Sequence, residues 1–435
     1  MISLWKDSCL LPHFDALCEN AETDVLIIGG GISGILCAYM LKQEGIDYML
    51  VESKRISMGV TGNTTAKITS QHGLIYNYLI KKFGNNTAKL YHSANEEAIR
   101  DYRAICKNFD CEFKNAESFI YSRKDSFALK SELEALKTIG IAAEYKESCE
   151  LPFSITGAIG FKNQAHFNPL KFLSHIAHGL NIFENTHIVK VKDNTAFTKE
   201  HSIKAKRIIV TTHFPFINSH GFYFLKMYQN RSYVILAKTN HNINGMYLDE
   251  CEQGLSFRPY NDNYLLIGGG SHRTGCQNDA WQPAENFINK YYPDTEIKYR
   301  WATQDCMTLD KMPYIGRYSK LSKNLYVATG FNKWGMTSSM IAAKLLCDMM
   351  VGRKNKYESI FSPSRSIIHP QLALNGIEAF RGWLSISKKR CPHLGCALSY
   401  NKSEHTWDCS CHGSRFDKEG NLLDNPANRG LDREN

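Results

Sequence analysis

Asp24-Val25-Leu26-Ile27-Ile28-Gly29-Gly30-Gly31-Ile32-Ser33-Gly34 opens the stretch that decides the fold, which runs on through residues 35–45 to Ile46-Asp47-Tyr48-Met49-Leu50-Val51-Glu52. Residues 25–28 are wholly apolar, as a strand buried on both faces requires. Apolar residues then recur at helical spacing to Glu44, and Gly45 stands where a helix stops. Residues 46–51 read as a second strand. Within this strand–turn–helix–strand unit, Gly29, Gly31 and Gly34 satisfy G-x-G-x-x-G. The first permits the tight turn, the second admits a pyrophosphate to the backbone, and the third lets helix and strand touch. The helix N-terminus, with Ser33 in its first turn, suits phosphates. Glu52, 18 residues after Gly34 and next to Ser53, can accept hydrogen bonds from a ribose. At this point the dinucleotide can be FAD or NAD.

The same stretch holds a 17-residue uncharged run, residues 25–41, but with four glycines it reads as strand, turn and helix rather than a membrane span. The whole chain has 435 residues, a net charge of +9, 43% hydrophobic and 22% charged residues. That composition excludes disordered, fibrous and collagen-like chains and predicts two or three domains. Lys and Arg are spread without a long basic run, so no nucleic-acid partner is expected. The N-terminus lacks the pattern of a signal peptide. Of 14 cysteines, ten are scattered and four fall between residues 391 and 411. This predicts buried free thiols in a cytoplasmic protein, plus one dedicated site.

Outward from the glycine turn, residues 84–150 read as helical and polar, and 151–165 as turns and short strands. Residues 188–191 and 207–211 read as strands. Residues 231–239, 245–249, 255–260 and 263–268 alternate like a half-solvated antiparallel sheet. Residues 325–328 form another buried strand, followed by a helix over about 338–350. Residues 353–375 read as a linker.

Three later segments separate the two dinucleotides: Gly59-Val60-Thr61-Gly62-Asn63-Thr64-Thr65-Ala66-Lys67, Gln304-Asp305 with Met312-Pro313-Tyr314-Ile315-Gly316, and Gly330-Phe331-Asn332-Lys333-Trp334-Gly335-Met336-Thr337. With the glycine turn they span about residues 23–352 and resemble the D-amino-acid oxidase-like family of FAD-dependent oxidoreductases. The resemblance implies a Rossmann-like FAD lobe (about 23–83, 160–221 and 301–352) with an interleaved antiparallel-sheet substrate lobe (about 84–159 and 222–300). Gly29, Gly31, Ser33, Gly34, Glu52 and Ser53 would then hold the ADP half, and Val189 the adenine through its main chain. Thr64, Thr65 and Ala66 would lie along the flavin. Gly330, Gly335, Met336 and Thr337 would close over it, the helix N-terminus facing the electron-rich edge of the ring. Thr303 falls where some members attach flavin to cysteine, with Cys306 three residues off, so noncovalent FAD is expected.

The terminal cluster reads Cys391-Pro392-His393-Leu394-Gly395-Cys396, then Cys409-Ser410-Cys411-His412-Gly413-Ser414. Two thiolates and two imidazoles could hold zinc. The additional Cys396 and Cys411, and loops rich in glycine and proline, favour a [2Fe–2S] centre with Cys₂ on one iron and His₂ on the other. The segment closely resembles the Rieske signature. That resemblance implies Cys391, His393, Cys409 and His412 as ligands, a Cys396–Cys411 disulfide as brace, Asn425-Pro426-Ala427 as the shielding loop, and a small all-β domain over 376–435. The domain is abbreviated and is expected to lean on the flavin lobe for its core.

The flavin resemblance implies removal of hydride from a carbon bearing an amine or hydroxyl. Arg258, Tyr260, Tyr247, Arg231, His72, His213, His272 and Trp334 are candidates to line the substrate site. Together the two resemblances imply a dehydrogenase. Electrons would pass from a small amine, amino acid or hydroxy acid to FAD, then singly through the cluster to a one-electron carrier protein. Two other readings stay open: a redox-sensing or partner-binding module, and a reductase running from carrier through cluster to FAD. Phe416 stands where high-potential Rieske centres carry a tyrosine that donates to a cysteine ligand. Phe416→Tyr is therefore expected to raise the cluster midpoint potential, read by EPR-monitored titration.

Overall fold

The computed structural model describes residues 2–239, 243–261, 263–276, 279–293, 295–365 and 389–431. Among them the strands form three sheets. The first runs Tyr314–Arg317, Leu325–Thr329, Ser202–Val210, Ala21–Ile28, Tyr48–Val51, Ile182–Phe183. Its pairings are parallel except at Tyr314–Arg317 and at the hairpin Lys190–Lys192/Thr195–Phe197. Helices Ile32–Gln43 and Gly335–Val351 pack on each other across it. The parallel pairing needs residues that tolerate burial on both faces, and Val25–Ile28 and Leu50–Val51 are buried.

The glycine turn works by close approach. Gly29 has φ 114°, which favours glycine, and a Cβ on Gly34 would sit 2.0 Å from the Gly29 carbonyl oxygen. A Cβ on Gly31 would meet only Thr61 Oγ1, at 3.3 Å.

The second sheet has nine strands and runs Ile297–Thr308, Met227–Lys238, Tyr264–Arg273, Ser256–Tyr260, Met246–Asp249, Lys114–Ser122, Gly157–His166, Lys67–Ile68, with Glu144–Lys146 beside Gly157–His166. Two expectations change here. Residues 84–150 are not helical throughout: helices Asn85–Cys106 and Phe127–Thr138 enclose the strand Lys114–Ser122. Residues 157–166 form one ten-residue strand rather than turns. Gly157 and Gly160 serve contact, not turning, because a Cβ there would meet the Tyr145 hydroxyl at 2.2 Å and the Phe119 ring at 2.6 Å.

The reading of 353–375 as a linker also changes up to residue 365. Helix Glu358–Phe361 stays on the FAD lobe, and the mostly covered Arg365 guanidinium pairs with Asp310 and donates to the Pro313 carbonyl at 2.8 Å. Residues 366–388, which include the rest of the expected linker and the start of the terminal domain, lie outside the described residues. At the other end, helix Leu4–Ser8 buries Trp5, whose indole N–H donates to the Thr64 carbonyl at 2.6 Å and braces the 59–66 loop.

The third sheet is antiparallel: Leu398–Asn401, Thr406–Cys409, Arg415–Phe416, Leu422–Asp424. Its core is Leu398, Phe416, Ala427 and the four clustered cysteines. So few apolar side chains give little hydrophobic stabilisation, and a domain this small needs another support. Gly34→Ala is expected to lower thermal stability by about 1–3 kcal/mol through overpacking, with Gly31→Ala nearer wild type, as read by denaturant melts.

Candidate functional site: a shared cavity and a cysteine–histidine pocket

A cavity of about 790 Å³ starts at Gly29 and Gly31, passes Glu52, Thr64, Thr65, Gly330 and Gly335, and ends against Glu404, Asp424 and Asn425 of the terminal domain. The Glu52 carboxylate lies on its wall, accepting from the Gly30 N–H at 2.8 Å and the Lys54 N–H at 2.9 Å. Ser33, Ser53, Trp334 and Met336 also line it. Gly34 does not; it packs the turn. Thr337 turns away, its hydroxyl donating to the Thr69 carbonyl at 3.4 Å. Ala66 is fully buried in the left-handed region, φ 55°, outside the lining. Val189 is also outside: its N–H closes a hairpin on Phe197 at 2.8 Å, and His187 and Ile188 face the cavity instead.

Five lining groups, Ser33 Oγ, His213 Nε2, Ser232 Oγ, Thr303 Oγ1 and Ser339 Oγ, are buried without a hydrogen-bond partner. Each unpaired buried polar group costs about 1–3 kcal/mol. Such a wall is completed by a polar ligand that runs along it, and an elongated dinucleotide such as FAD fits that donor set. Cys306 also lines the cavity, its thiol directed at the His213 carbonyl at 3.5 Å.

Several expected substrate residues do structural work. Arg258 is 1% exposed and spends its guanidinium on the Thr65 and Phe167 carbonyls and on His166, at 2.5, 2.9 and 2.9 Å. His72 is held by Tyr91 and the Thr69 carbonyl, both at 2.7 Å, and stacks on Trp334. His272 stacks on Tyr233, Tyr260 packs against Trp5, and Tyr247 donates to Glu150. None of these five lines the cavity; Arg231, His213 and Trp334 do.

The structure adds three ionisable groups on the cavity wall. Burial pushes the Asp305 carboxyl up to about 6, against the charges of Lys333 and Arg231. Burial lowers the Lys333 amine, against Asp305 and Glu252; it donates to Ser271 Oγ. Burial, helped by Arg258, brings the Lys67 amine down to about 7, and it donates to the Tyr247 carbonyl at 2.9 Å. All three lie in segments quoted for their resemblance, but alternation along a strand does not say which face meets a cavity.

In the terminal domain the four expected ligands converge. The Cys391 thiol meets Cys409, and the His393 and His412 rings stand 5.0 Å apart at 86°. Nδ1 of both histidines is buried without a partner. Burial holds both imidazoles neutral, His393 at about 3 and His412 at about 4, the state in which a ring nitrogen binds metal. The sulfurs of Cys396, Cys409 and Cys411 also lie within 4.8 Å of one another, an alternative three-thiol grouping. The orphaned histidine nitrogens favour the two-cysteine, two-histidine set, and this donor set fits a Rieske cluster. Cys396 and Cys411 are adjacent free thiols in the structure. Ser414 Oγ accepts from the Ala427 N–H at 3.0 Å and contacts Cys391.

A buried ionic lock fastens this domain to the second sheet. Arg231 and Arg415 both pair with Glu404, and Arg415 also pairs with Asp408 and Asp424. Gln229 donates to the His412 and Asn425 carbonyls at 2.7 and 3.0 Å, and Gln304 to the Gly413 carbonyl at 2.8 Å. Burial alone would raise the Glu404 carboxyl; the Arg231 hydrogen bond and charge, with Arg415, hold it instead at about 2.

The family model described as FAD dependent oxidoreductase matches residues 24–349, and the Rieske [2Fe-2S] domain model matches 367–433. A Bacillus subtilis relative named as the Rieske 2Fe-2S iron-sulfur protein YhfW is 37% identical, covering 97% of this chain and 95% of its own. Gamma-glutamylputrescine oxidoreductase of Escherichia coli is 23% identical, over 80% of this chain and 88% of its own. Glycine oxidase from Geobacillus kaustophilus superposes with a TM-score of 0.66 at 15% identity, over 80% of this chain and all of the other.

Because Glu404 is held below its ordinary 4.5, its contribution is present above that pH and is lost as pH falls toward about 2. Thermal melts should therefore fall across that window, and Glu404→Gln should flatten the fall while costing on the order of 3–5 kcal/mol at neutral pH.

Proposed function

We propose, from the premise that the chain belongs to the FAD dependent oxidoreductase family and carries a C-terminal Rieske [2Fe-2S] domain, that it dehydrogenates a small amine, amino acid or hydroxy acid and passes the electrons to a one-electron carrier protein. The observation that carries this reading is the single cavity whose wall is built by both domains, from Gly29 to Asn425.

When bound, FAD supplies a two-electron acceptor and the [2Fe–2S] cluster a one-electron acceptor. The chain's residues do the rest. Amides of the 29–34 turn receive the pyrophosphate and Glu52 the ribose. Thr64, Thr65 and the start of helix Gly335–Val351 border the ring, the helix terminus favouring negative charge there. Lys333 holds a substrate carboxylate, and Asp305 faces the other charge that a small amino acid carries. Relatives named for glycine and gamma-glutamylputrescine support a nitrogen-bearing substrate. The Arg231–Glu404–Arg415 lock keeps bulk water from the far end of the cavity.

Cys391, His393, Cys409 and His412 hold the cluster, and the adjacent Cys396 and Cys411 thiols brace its loops once oxidised to a disulfide. Among the described residues no helix is long and apolar enough to cross a membrane, and a cytoplasmic location fits the scattered thiols.

Anaerobic screening of amines, amino acids and hydroxy acids tests the reading, with flavin absorbance and Rieske EPR followed in one sample. A substrate should bleach the flavin and bring up the reduced-cluster signal. Stoichiometric peroxide without cluster reduction would overturn it. Lys333→Met should raise KM for a carboxylate-bearing substrate by about 10- to 100-fold, the worth of a charged hydrogen bond.

A further inference from the structure

Both histidines of the cysteine–histidine pocket are contacted from outside by one segment that runs from the flavin lobe into the substrate lobe. This segment joins strands Ser202–Val210 and Met227–Lys238. Asn218 Oδ1 lies 3.1 Å from His393 Nε2. Six residues on, the Phe224 ring stands edge-on to the His412 imidazole, with centroids 5.9 Å apart. The segment is anchored just before these contacts. The Ile217 carbonyl accepts from Tyr318 at 3.0 Å, and the Thr212 and Phe214 carbonyls accept from Asn425 at 2.5 and 2.8 Å.

We propose that Asn218 is a positioning residue for the cluster: its amide oxygen holds the His393 ring from the flavin lobe and lowers the reduction potential of the [2Fe–2S] centre. The proposal rests on the reading that Cys391, His393, Cys409 and His412 are the ligands. Nδ1 of His393 is the buried ring nitrogen without a partner, so it is the one free to bind iron. Nε2 then carries the hydrogen, and its partner must be an acceptor, which the amide oxygen of Asn218 is. An acceptor on the outer N–H fixes the ring's tautomer and orientation and makes the ligand nitrogen more electron-rich. More electron density at iron favours the oxidised cluster. The flavin lobe thereby helps to set the potential of a centre for which it supplies no ligand.

This effect is separable from docking. The domain is held independently by the Arg231–Glu404 pair, by Gln229 and by Gln304. One hydrogen bond at a half-buried ring adds little to those.

The test is an EPR-monitored redox titration of the full-length, cluster-loaded protein, with the flavin midpoint followed by absorbance in the same samples. Asn218→Leu removes the acceptor and should make the cluster easier to reduce, by about fivefold in the reduction equilibrium, the worth of a neutral hydrogen bond. Asn218→Asp strengthens the acceptor and should move the cluster midpoint the opposite way. The flavin midpoint should stay at its wild-type value in both. Wild-type cluster midpoints in both variants, or shifts of the same sign, would overturn the proposal while leaving the ligand reading intact. Should Asn218→Leu fail to assemble, the sign of the Asn218→Asp shift decides. Wild-type protein without iron, sulfide or a Rieske EPR signal would overturn the ligand reading and the proposal together.

Discussion

The architecture depends on a carboxylate between two guanidinium groups. Glu404 leaves the third sheet, meets Arg231 on the second, and is met again by Arg415 of its own domain. All three side chains are under 9% exposed. Taking them out of water is costly, and in the low-dielectric interior their attraction and hydrogen bonds must offset that cost. The geometry meets this demand: Arg231 approaches with Nε and a terminal nitrogen, and Tyr233 adds a third donor at 3.1 Å. An arrangement of this kind tolerates one relative placement of the two domains, since any slip leaves a buried charge unpaired. Its contribution is to orientation as much as to stability.

From that placement follows the shape of the cavity. The terminal domain's apolar core is thin and rich in cysteine, so the domain takes its support from the sheet it covers, and in covering it becomes a wall. Residues in strained backbone also sit at or next to the flavoprotein side of the cavity. His213, Asn332 and Lys333 have φ of 66°, 51° and 72°, in the left-handed region where residues other than glycine are uncommon. The neighbourhood holds Asn332 there: its side chain accepts from the Thr308 N–H at 2.8 Å and donates to the Gly330 carbonyl at 2.7 Å. Orphaned hydroxyls, strained residues and buried ionisable groups coincide around one volume, as expected where a fold is organised to bind something polar.

The parts of this arrangement legible in the sequence are those built from neighbours in the chain. A glycine turn between an apolar strand and a helix needs only local spacing, and 24–52 folds as that spacing requires. The C-x-H and C-x-x-H loops likewise carry their donors within a few residues. Longer-range inference failed in instructive ways. Arg258 reads as a residue lining the substrate site, but its positive charge faces the Thr65 and Phe167 carbonyls, distant in sequence. His72 looked like a flavin neighbour and is a packed, hydrogen-bonded core residue behind Trp334. Glycines at 157 and 160 looked like turns because sequence does not distinguish a residue that lets the chain bend from one that lets a ring approach.

The sequence by itself determined the two chemistries, a dinucleotide turn and a cysteine–histidine cluster site, because each depends on residue types at short, fixed separations. Only the tertiary structure decided that the two sites share a wall, that Glu404 locks them together, and that Lys333, Asp305 and Lys67 face the cavity. Those relations join residues more than a hundred positions apart. They follow from which faces of two sheets can be desolvated against each other, and no local spacing records that.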